Sequence, residues 1–272
     1  MTSSDHQITT VEQALFLGAD YAEPDHLARD LRRADEFIRL AVCAADLVLA
    51  GVELAAPDRC GIFVGTGYGP LETNFSSLGT LIDDGEGQIS PTLFSHSVYN
   101  VAAGYIARLL GILGPSLTVT SYGWPFLMAL AQGRQAVALG WIDQAVVLAV
   151  EVYSDLLRDA YCREYGVDTA PLVPGAAAWV LSRLGAGTGT VLSCVEVEDT
   201  PCPPALCLTR SDESWQGPCL PPLSEPHPLA HVEALTRGIN DGVPPGAAWD
   251  LSASFGRARL EFGNIHPPIS LP

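Results

Sequence analysis

The chain has 272 residues, of which 48% are hydrophobic and 17% are charged, and its mean hydropathy is +0.22. This length allows one large domain or two small ones, and the apolar surplus fits either an α/β core rich in Ala, Val and Leu or an extensive protein interface. All fourteen basic residues are arginines and the net charge is −17, which excludes lysine Schiff-base and P-loop chemistry and makes nucleic acid and anionic membranes poor partners.

The seven cysteines and the amino-terminal segment bear on the cellular compartment. No two cysteines have C-x-x-C spacing, and the start MTSSDHQITTVEQ does not have the pattern of a secretory signal. We therefore expect free thiols in a reducing cytoplasm, with a disulfide framework or a zinc site as the alternatives. No apolar run reaches ~18 residues, so we expect no transmembrane helix, and we expect no bound metal or cofactor.

The amino-terminal part predicts a strand, a helix and a second strand. Leu15–Gly18 fits a short strand, and residues 25–51 carry apolar residues at helical spacing. The run GIFV at Gly61–Val64 fits a buried strand that glycines close. The following GTGYGP is not a dinucleotide motif, because Pro70 occupies the third glycine position of G-x-G-x-x-G.

The middle of the chain continues this alternation. DDGEG at 83–87 predicts a polar turn, and Val98–Leu110 predicts a helix that ends near Gly111. Leu117–Thr120 predicts a strand, and a helix should start at Trp124–Pro125, because proline suits the first helical position, and run to about Leu139. Ala145–Val150 is a continuous apolar run, which is typical of a fully buried strand.

The last third contains two more strand patterns and then changes in composition. Ala176–Leu181 and Thr190–Val197 predict strands, and 201–228 is rich in proline, which predicts an extended connector. A helix near Leu229–Ile239 and a strand near Trp249–Phe262 should follow. Strands that alternate with helices predict an α/β fold with a mostly parallel sheet.

Several segments together resemble the amino-terminal half of β-ketoacyl synthases. GPSLTVTSYGWPFLMAL, at Gly114–Leu130, is similar to the family's active-site segment GPSLTVDTACSSSLVAL. Five further stretches also resemble the family: RRADEFIRLAVCAADLVLAGVEL, CGIFVGTGYGPLET, ISPTLFSHSVYNVAAGYIARLLGILGPSLTV, VVLAVEVYSDLL and PLVPGAAAWVLSRL. The resemblance implies a thiolase-like α/β fold.

The resemblance also implies a division of the chain. Residues 1–200 should form one complete αβα half with a central mixed five-stranded sheet. Residues 201–272 should form a Pro-rich connector and a reduced carboxyl-terminal remnant, since complete members carry a second such half. Only LSASFGRARLEFG is similar to the family's closing segment SFGFGGTNA.

The catalytic groups of the family are missing from the sequence. The nucleophilic cysteine falls on Gly123, and the two histidine motifs that the family supplies from its carboxyl half are not found. We expect His227, His231 and His266 to be ordinary surface residues. The elbow residues Ser121, Tyr122, Trp124 and Pro125 should fill the acyl-entry channel, and Ser121 lacks an evident base that could make it a nucleophile. We therefore expect no catalytic residue.

Within the family, the chain resembles members that have lost the nucleophile. These include the chain-length factors of type II polyketide synthases. These form heterodimers with a catalytic ketosynthase and shape its acyl tunnel, and a reducing, polyene-type system is the narrower expectation. Carrier protein would interact indirectly, through the ketosynthase, because this chain is acidic. The predicted tunnel residues are Phe94, His96, Val98, Tyr99 and Tyr105, and the predicted dimer strand comprises Ser116, Leu117, Thr118, Val119 and Thr120.

Two other functions remain open at this point. The chain could be a free-standing enzyme that attacks an acyl thioester with a residue other than cysteine. It could also be a homodimeric protein that binds acyl chains.

Overall fold

The computed structural model describes residues 8–88, 90–165, 172–183, 189–198, 228–229, 231–253 and 256–263. Their strands are β1 (Thr9–Leu17), β2 (Cys60–Thr66), β3 (Ser116–Thr120), β4 (Gln144–Glu151), β5 (Gly175–Arg183), β6 (Thr190–Glu198), β7 (Ala248–Ala253) and β8 (Gly256–Phe262). Their helices are α1 (Ala28–Leu31), α2 (Glu36–Leu49), α3 (Leu71–Asp84), α4 (Pro91–His96), α5 (Val101–Leu110), α6 (Pro125–Ala138), α7 (Asp155–Tyr165) and α8 (Val232–Asp241).

The described strands form one mixed sheet in the order β3-β2-β4-β5-β1-β6-β8-β7. The strands β3, β2 and β4 are parallel, and β5 is antiparallel to both β4 and β1. The remaining pairs, β1 with β6, β6 with β8 and β8 with β7, are antiparallel. The mixed character of the predicted sheet is confirmed, but the sheet has eight described strands rather than five, because β6 extends the predicted half and the carboxyl-terminal strands β7 and β8 add to its edge.

Helices cover the two faces of the sheet. On one face α2 and α5 pack against β2, β4 and β5, with Phe37, Ile62 and Ile106 in that core. On the other face α6 and α8 pack around Phe126 and Trp179. The strands β4 and β5 lie between the two helical layers and are buried along nearly their whole length, which explains their uninterrupted apolar sequences.

The helix predicted over 25–51 is divided in the structure at Asp35. The Asp35 carboxylate accepts a hydrogen bond of 2.9 Å from the Ile38 amide and so caps the amino terminus of α2. From there α2 is buried on most sides, as its apolar composition predicts. The helix α1 remains a separate single turn.

Other elements of the structure differ from the sequence prediction. The helices α3, α4 and α7 were not predicted, and residues 83–84 of the predicted turn belong to α3. The single strand predicted over 249–262 is an antiparallel pair, β7 and β8, with Ala253 opposite Gly256. Gly256, the first residue of β8, has φ 155, a value in the region where only glycine lacks strain.

The predicted connector lies almost entirely outside the described residues, and the domain boundary at residue 200 stays a prediction. Cys43, Cys60, Cys162 and Cys194 are free thiols, and the other three cysteines lie outside the described residues. No described helix is long and apolar enough to span a bilayer.

Candidate functional site: a vacated elbow

The elbow joins the end of β3 to the start of α6. The Ser121 amide donates to the Thr66 carbonyl at 3.3 Å, which keeps the elbow beside the end of β2. The Ser121 hydroxyl accepts a hydrogen bond of 3.2 Å from the Gly123 amide. Pro125 occupies the first turn of α6 and has no amide hydrogen. The elbow therefore keeps the helix start, but Gly123 offers no nucleophile and its N–H is already engaged.

The glycines at and just after the end of β2 allow close approach of the backbone. A Cβ on Gly65 would collide with the Pro125 carbonyl, so the end of β2 can contact the start of α6 only through glycine. A Cβ on Gly67 would lie 2.5 Å from Pro228 Cγ. Gly65 and Gly67 thus have a packing role at the elbow.

The space beneath the elbow is filled by the protein itself. Trp124 is 4% exposed and turns into the core. It lines, together with six other residues, a residual space of about 10 Å³, too little for more than one water molecule. The other residues that line this space are Phe126, Leu127, Pro228, Val232, Leu235 and Leu251. The carboxyl-terminal part of the chain therefore occupies the interior side of the elbow.

Tyr122 does not face this interior, and its predicted place in the acyl-entry channel stays a prediction. It is 66% exposed, because the elbow turns its side chain away from the core while Trp124 turns inward. The Tyr122 ring centroid lies 5.8 Å from that of Tyr68, which lies 5.8 Å from that of Tyr153. A row of three tyrosines thus leads from the surface of the elbow toward the end of β4.

Glu151, the last residue of β4, lies fully buried beside this row. Its carboxylate accepts hydrogen bonds from the amides of Gly67 and Tyr68, the latter at 3.2 Å, and also bonds to the Thr66 side chain. It forms no ion pair with any described residue. Glu151 therefore ties the turn after β2 to the end of β4.

Burial determines the charge of this carboxyl group. Loss of hydration raises the pKa of Glu151 to about 8, and the hydrogen bonds from Gly67, Tyr68 and Thr66 offset only part of this rise. The group is therefore mostly protonated at neutral pH. Sequence reasoning missed it because the apolar run was ended at Val150; a carboxylate that directly follows a buried strand was the available signal.

The predicted tunnel residues divide into two groups. His96 is buried, and its Nε2 lies 3.0 Å from the Tyr105 hydroxyl, so these two side chains bind each other. Phe94, Val98 and Tyr99 are 65%, 45% and 40% exposed. A Cβ on Gly69 would lie 2.6 Å from Tyr99 Cδ1, which places the Tyr99 ring against the turn that precedes α3.

The predicted dimer strand, β3, is an edge of the sheet. Among the described strands it pairs only with β2, and Leu117 on it is 40% exposed. The Thr118 hydroxyl is buried and has no hydrogen-bond partner among the described residues. A parallel edge strand with its outer hydrogen-bonding groups open is typical of a strand that another chain covers.

No described histidine completes a catalytic site at the elbow. His231 begins α8 with φ 65 and lines a cavity of about 840 Å³ with Phe16, Val173 and Arg237, away from residues 121–125. His227 and His266 lie outside the described residues. The described residues contain no cluster of three or more side chains that could hold a metal ion.

Comparison with known proteins identifies the family. The family model described as "Beta-ketoacyl synthase, N-terminal domain" matches residues 6–163, more than half of the chain. The chain belongs to the β-ketoacyl synthase family. This ketosynthase-like chain is 29% identical over 141 residues to 3-oxoacyl-[acyl-carrier-protein] synthase 2 of Rhizobium meliloti, a match that covers 50% of the chain and 32% of that protein. The enzyme of the same name from Synechocystis is 32% identical over 98 residues, which are 34% of the chain and 24% of that protein.

The ketosynthase-like chain thus spans about a third of the length of the first of these relatives. Solved structures show that the fold is that of ketosynthases, the thiolase-like α/β fold. A type II PKS acyl-carrier protein in complex with its ketosynthase matches with a TM-score of 0.64 at 17% identity, over 72% of this chain and 70% of that one. A ketosynthase in complex with its chain length factor, from Xenorhabdus doucetiae, matches with a TM-score of 0.63 at 15% identity, over 93% of this chain and 99% of the other.

Proposed function

We propose that this chain is a non-catalytic chain-length factor that forms a heterodimer with a catalytic ketosynthase in a type II polyketide system. The observation that carries the proposal is the elbow, where Gly123 stands at the family's nucleophile position and the space beneath is filled by Trp124 and Pro228. A thioester needs a nucleophile and room for its acyl chain. The described elbow offers neither, so the architecture that the chain retains must serve another subunit.

The match to the Xenorhabdus complex supports this assignment. The two aligned chains cover each other almost from end to end, so the matched chain is close in length to this one. That complex is described as a ketosynthase with its chain length factor, and a second solved match, at a TM-score of 0.55 and 18% identity, is the ishigamide ketosynthase/chain length factor. At these identities the likeness supports the fold, and the role rests on the altered elbow.

The exposed edge of β3 is the proposed contact with the ketosynthase. Pairing of Ser116–Thr120 with a strand of the partner would satisfy the open backbone groups and continue the sheet across the interface. Phe94, Val98 and Tyr99 are exposed apolar side chains that can extend into a tunnel formed with the partner. His96 and Tyr105, which bind each other, would brace that wall from behind rather than touch an acyl chain.

The proposal assigns the chemistry to the partner. Condensation, and with it the docking of carrier protein, would take place on the ketosynthase, and this chain would need neither cofactor nor metal. A reducing, polyene-type product is the narrower form of the same proposal.

Co-expression with the ketosynthase encoded nearest to this chain tests the proposal. We expect a stable one-to-one complex by light scattering, with this chain aggregated or insoluble when it is expressed alone. A well-folded chain that remains separate from every such ketosynthase would contradict the heterodimer and favour the acyl-binding or free-standing enzyme functions.

Substitutions at two positions test the roles of the tunnel wall and of the elbow. Tyr99→Ala and Tyr99→Trp should change product length without abolishing condensation, because a larger side chain stops a growing chain earlier. Product length that stays constant for substitutions at every exposed position from Phe94 to Tyr99 would remove the tunnel role. Gly123→Cys should not create condensing activity in the isolated chain, because no described histidine lies at the elbow and its interior is filled.

A further inference from the structure

A cavity of about 480 Å³ lies between the amino-terminal ends of α2, α3 and α7 and shares no lining residue with the closed interior of the elbow. Its apolar wall is formed by residues of all three helices and of the segments that lead into them: Phe37, Pro70, Phe75, Val152, Tyr153 and Leu156. Cavities of about 300–1,000 Å³ with a mostly apolar lining are typical of sites for small molecules. No step of the proposed function uses this cavity.

Hydrogen bonds hold the walls of the cavity in place. The Asp35 carboxylate caps α2 through the Ile38 amide and accepts a second hydrogen bond, of 2.6 Å, from the Thr73 hydroxyl of α3. The Ser154 hydroxyl accepts a hydrogen bond of 3.1 Å from the Leu157 amide and so caps α7. Because each helix start is fixed by its own cap or by its neighbour, the cavity is formed before any ligand arrives, and binding would require little further ordering of the protein.

The apolar wall of the cavity extends from the core to the surface. Phe37 and Tyr153 are 1% and 6% exposed and form its inner end, whereas Phe75 and Leu156 are 37% and 60% exposed and lie at its mouth. A ligand with an apolar body would cover the exposed part of these side chains, which is favourable because it removes apolar surface from water. Three of the four side chains are aromatic, and the faces of aromatic rings also attract cations.

The charged residues around the cavity favour a cation. They are the carboxylates of Asp35, Glu36, Glu72 and Asp155 and one guanidinium, that of Arg158. Arg158 is paired with Asp155 at 3.3 Å, and the other three carboxylates form no ion pair with any described residue. Each of the three helix starts contributes about half a positive charge, which together is less than the negative charge of these carboxylates. The cavity is therefore negative, and an anionic ligand would be repelled.

We propose that this cavity binds an organic cation, a small molecule that carries an ammonium or guanidinium group on an apolar body. The apolar body would lie against Phe75 and Leu156, and the charged group would lie near Glu36 and Glu72. The inference goes beyond the proposed function and does not rest on it, because the described residues that line the cavity belong neither to the elbow, nor to β3, nor to the predicted tunnel wall.

Probes that share one apolar body and differ in charge test the proposal. Phenethylamine, phenethyl alcohol and hydrocinnamate carry the same phenylethyl group with a cationic, a neutral and an anionic end. Saturation-transfer NMR and calorimetric titration measure their binding to the purified full chain, or to its complex with the co-expressed ketosynthase where the chain is insoluble alone. We expect phenethylamine to bind at least about tenfold more tightly than hydrocinnamate, and also at least about tenfold more tightly than ethylamine, which lacks the ring.

A pair of variants assigns the binding to this cavity. Glu36→Gln/Glu72→Gln removes two of its carboxylates and should weaken binding of phenethylamine by about tenfold, with little effect on phenethyl alcohol. Asp83→Asn/Asp84→Asn is the matched control, because it changes the net charge equally at the far end of α3, outside the cavity, and should leave binding unchanged.

The possible outcomes either support or overturn the inference. Tight binding of phenethylamine that only the cavity variant weakens would support it. If the two variants weaken binding equally, the attraction comes from the overall charge of the chain and the inference is wrong. It is also wrong if hydrocinnamate binds as tightly as phenethylamine, or if none of the probes binds the unchanged protein. None of these results bears on the heterodimer, which is tested by association with the ketosynthase.

Discussion

The two sides of the elbow have opposite character. On the interior side, Trp124 packs against Pro228 and α8 and leaves almost no free space, and Glu151 ties the neighbouring turn to β4. On the outer side, apolar groups are exposed on Tyr122, on Leu117 of the β3 edge, and on Leu78 and Ile82 of α3. Under the proposed function the site carries out no reaction and needs no pocket, so its interior can close, whereas a surface that serves a partner must stay open.

Substitutions on the interior side should cause the largest losses of stability. Trp124→Ala removes a buried indole and opens a cavity beneath the elbow, so we expect the free energy of unfolding to fall by about 3–5 kcal/mol. Trp141→Ala is the matched control, because Trp141 is 65% exposed and its loss should change stability by less than about 0.5 kcal/mol. Urea or thermal unfolding of the purified protein measures both. Equal losses for the two variants would mean that the interior is not closed.

Glu151 should make the interior sensitive to pH. Its folded-state pKa of about 8 lies above the value of 4.5 for an unperturbed glutamate, so between these values the unfolded chain releases a proton that the folded chain keeps. Stability contributed by Glu151 is therefore complete below pH 4.5, falls by about 1.4 kcal/mol per pH unit as pH rises, and levels off above pH 8.

The Glu151→Gln variant isolates this dependence. We expect the difference in unfolding free energy between the variant and the unchanged protein to move in favour of the variant as pH increases from 5 to 8. Denaturant titrations at several pH values measure it, and other titrating groups cancel in the difference. A difference that stays constant across this range would mean that Glu151 is ionised in the folded protein.

The contact of α8 with the sheet tests the interior side of the elbow through a smaller expected loss of stability. Trp179 Nε1 donates a hydrogen bond of 2.9 Å to the Thr236 hydroxyl, and both residues are buried. Thr236→Val keeps the shape but leaves the indole N–H without this acceptor, so we expect a loss of about 1–3 kcal/mol. Thr236→Ser retains the hydroxyl and serves as the control. Equal stability of the Val variant and the unchanged protein would show that the indole N–H finds another acceptor.

Most of the fold followed from sequence patterns. The apolar runs at β2, β4 and β5 predict buried strands, and the prediction succeeds because both faces of these strands are covered by helices. The helix α3 was missed for the converse reason: its apolar residues do not face the chain's own core, and its Ser, Thr and Gly content resembles a loop. The β7–β8 pair was predicted as one strand because only Gly256 interrupts its apolar pattern, and a single glycine is a weak turn signal.

The site was only partly predictable. The glycine at position 123 could be read from the motif alone, whereas the edge position of β3 came only from the structure. The filling of the interior could not, because Pro228 is far along the chain from Trp124 and no local pattern connects them. The same limit applies to Tyr122, whose direction depends on how β3 leaves the sheet rather than on its own residue type.

Substitutions on the open side should have the smallest effect on the stability of the chain and a larger effect on its association with the ketosynthase. Tyr122→Ala removes one ring contact, with Tyr68, and its side chain is 66% exposed, so we expect the chain to lose only about 0.5–1 kcal/mol of stability. In the complex the same ring should lie at the ketosynthase, where exposed tyrosines are frequent anchors, and its loss should weaken association by about tenfold or more. Tyr122→Phe keeps the ring and should associate within a few-fold of the unchanged chain. An effect of Tyr122→Ala on stability as large as that of Trp124→Ala, with no effect on association, would place Tyr122 on the closed side and remove the contrast between the two sides of the elbow.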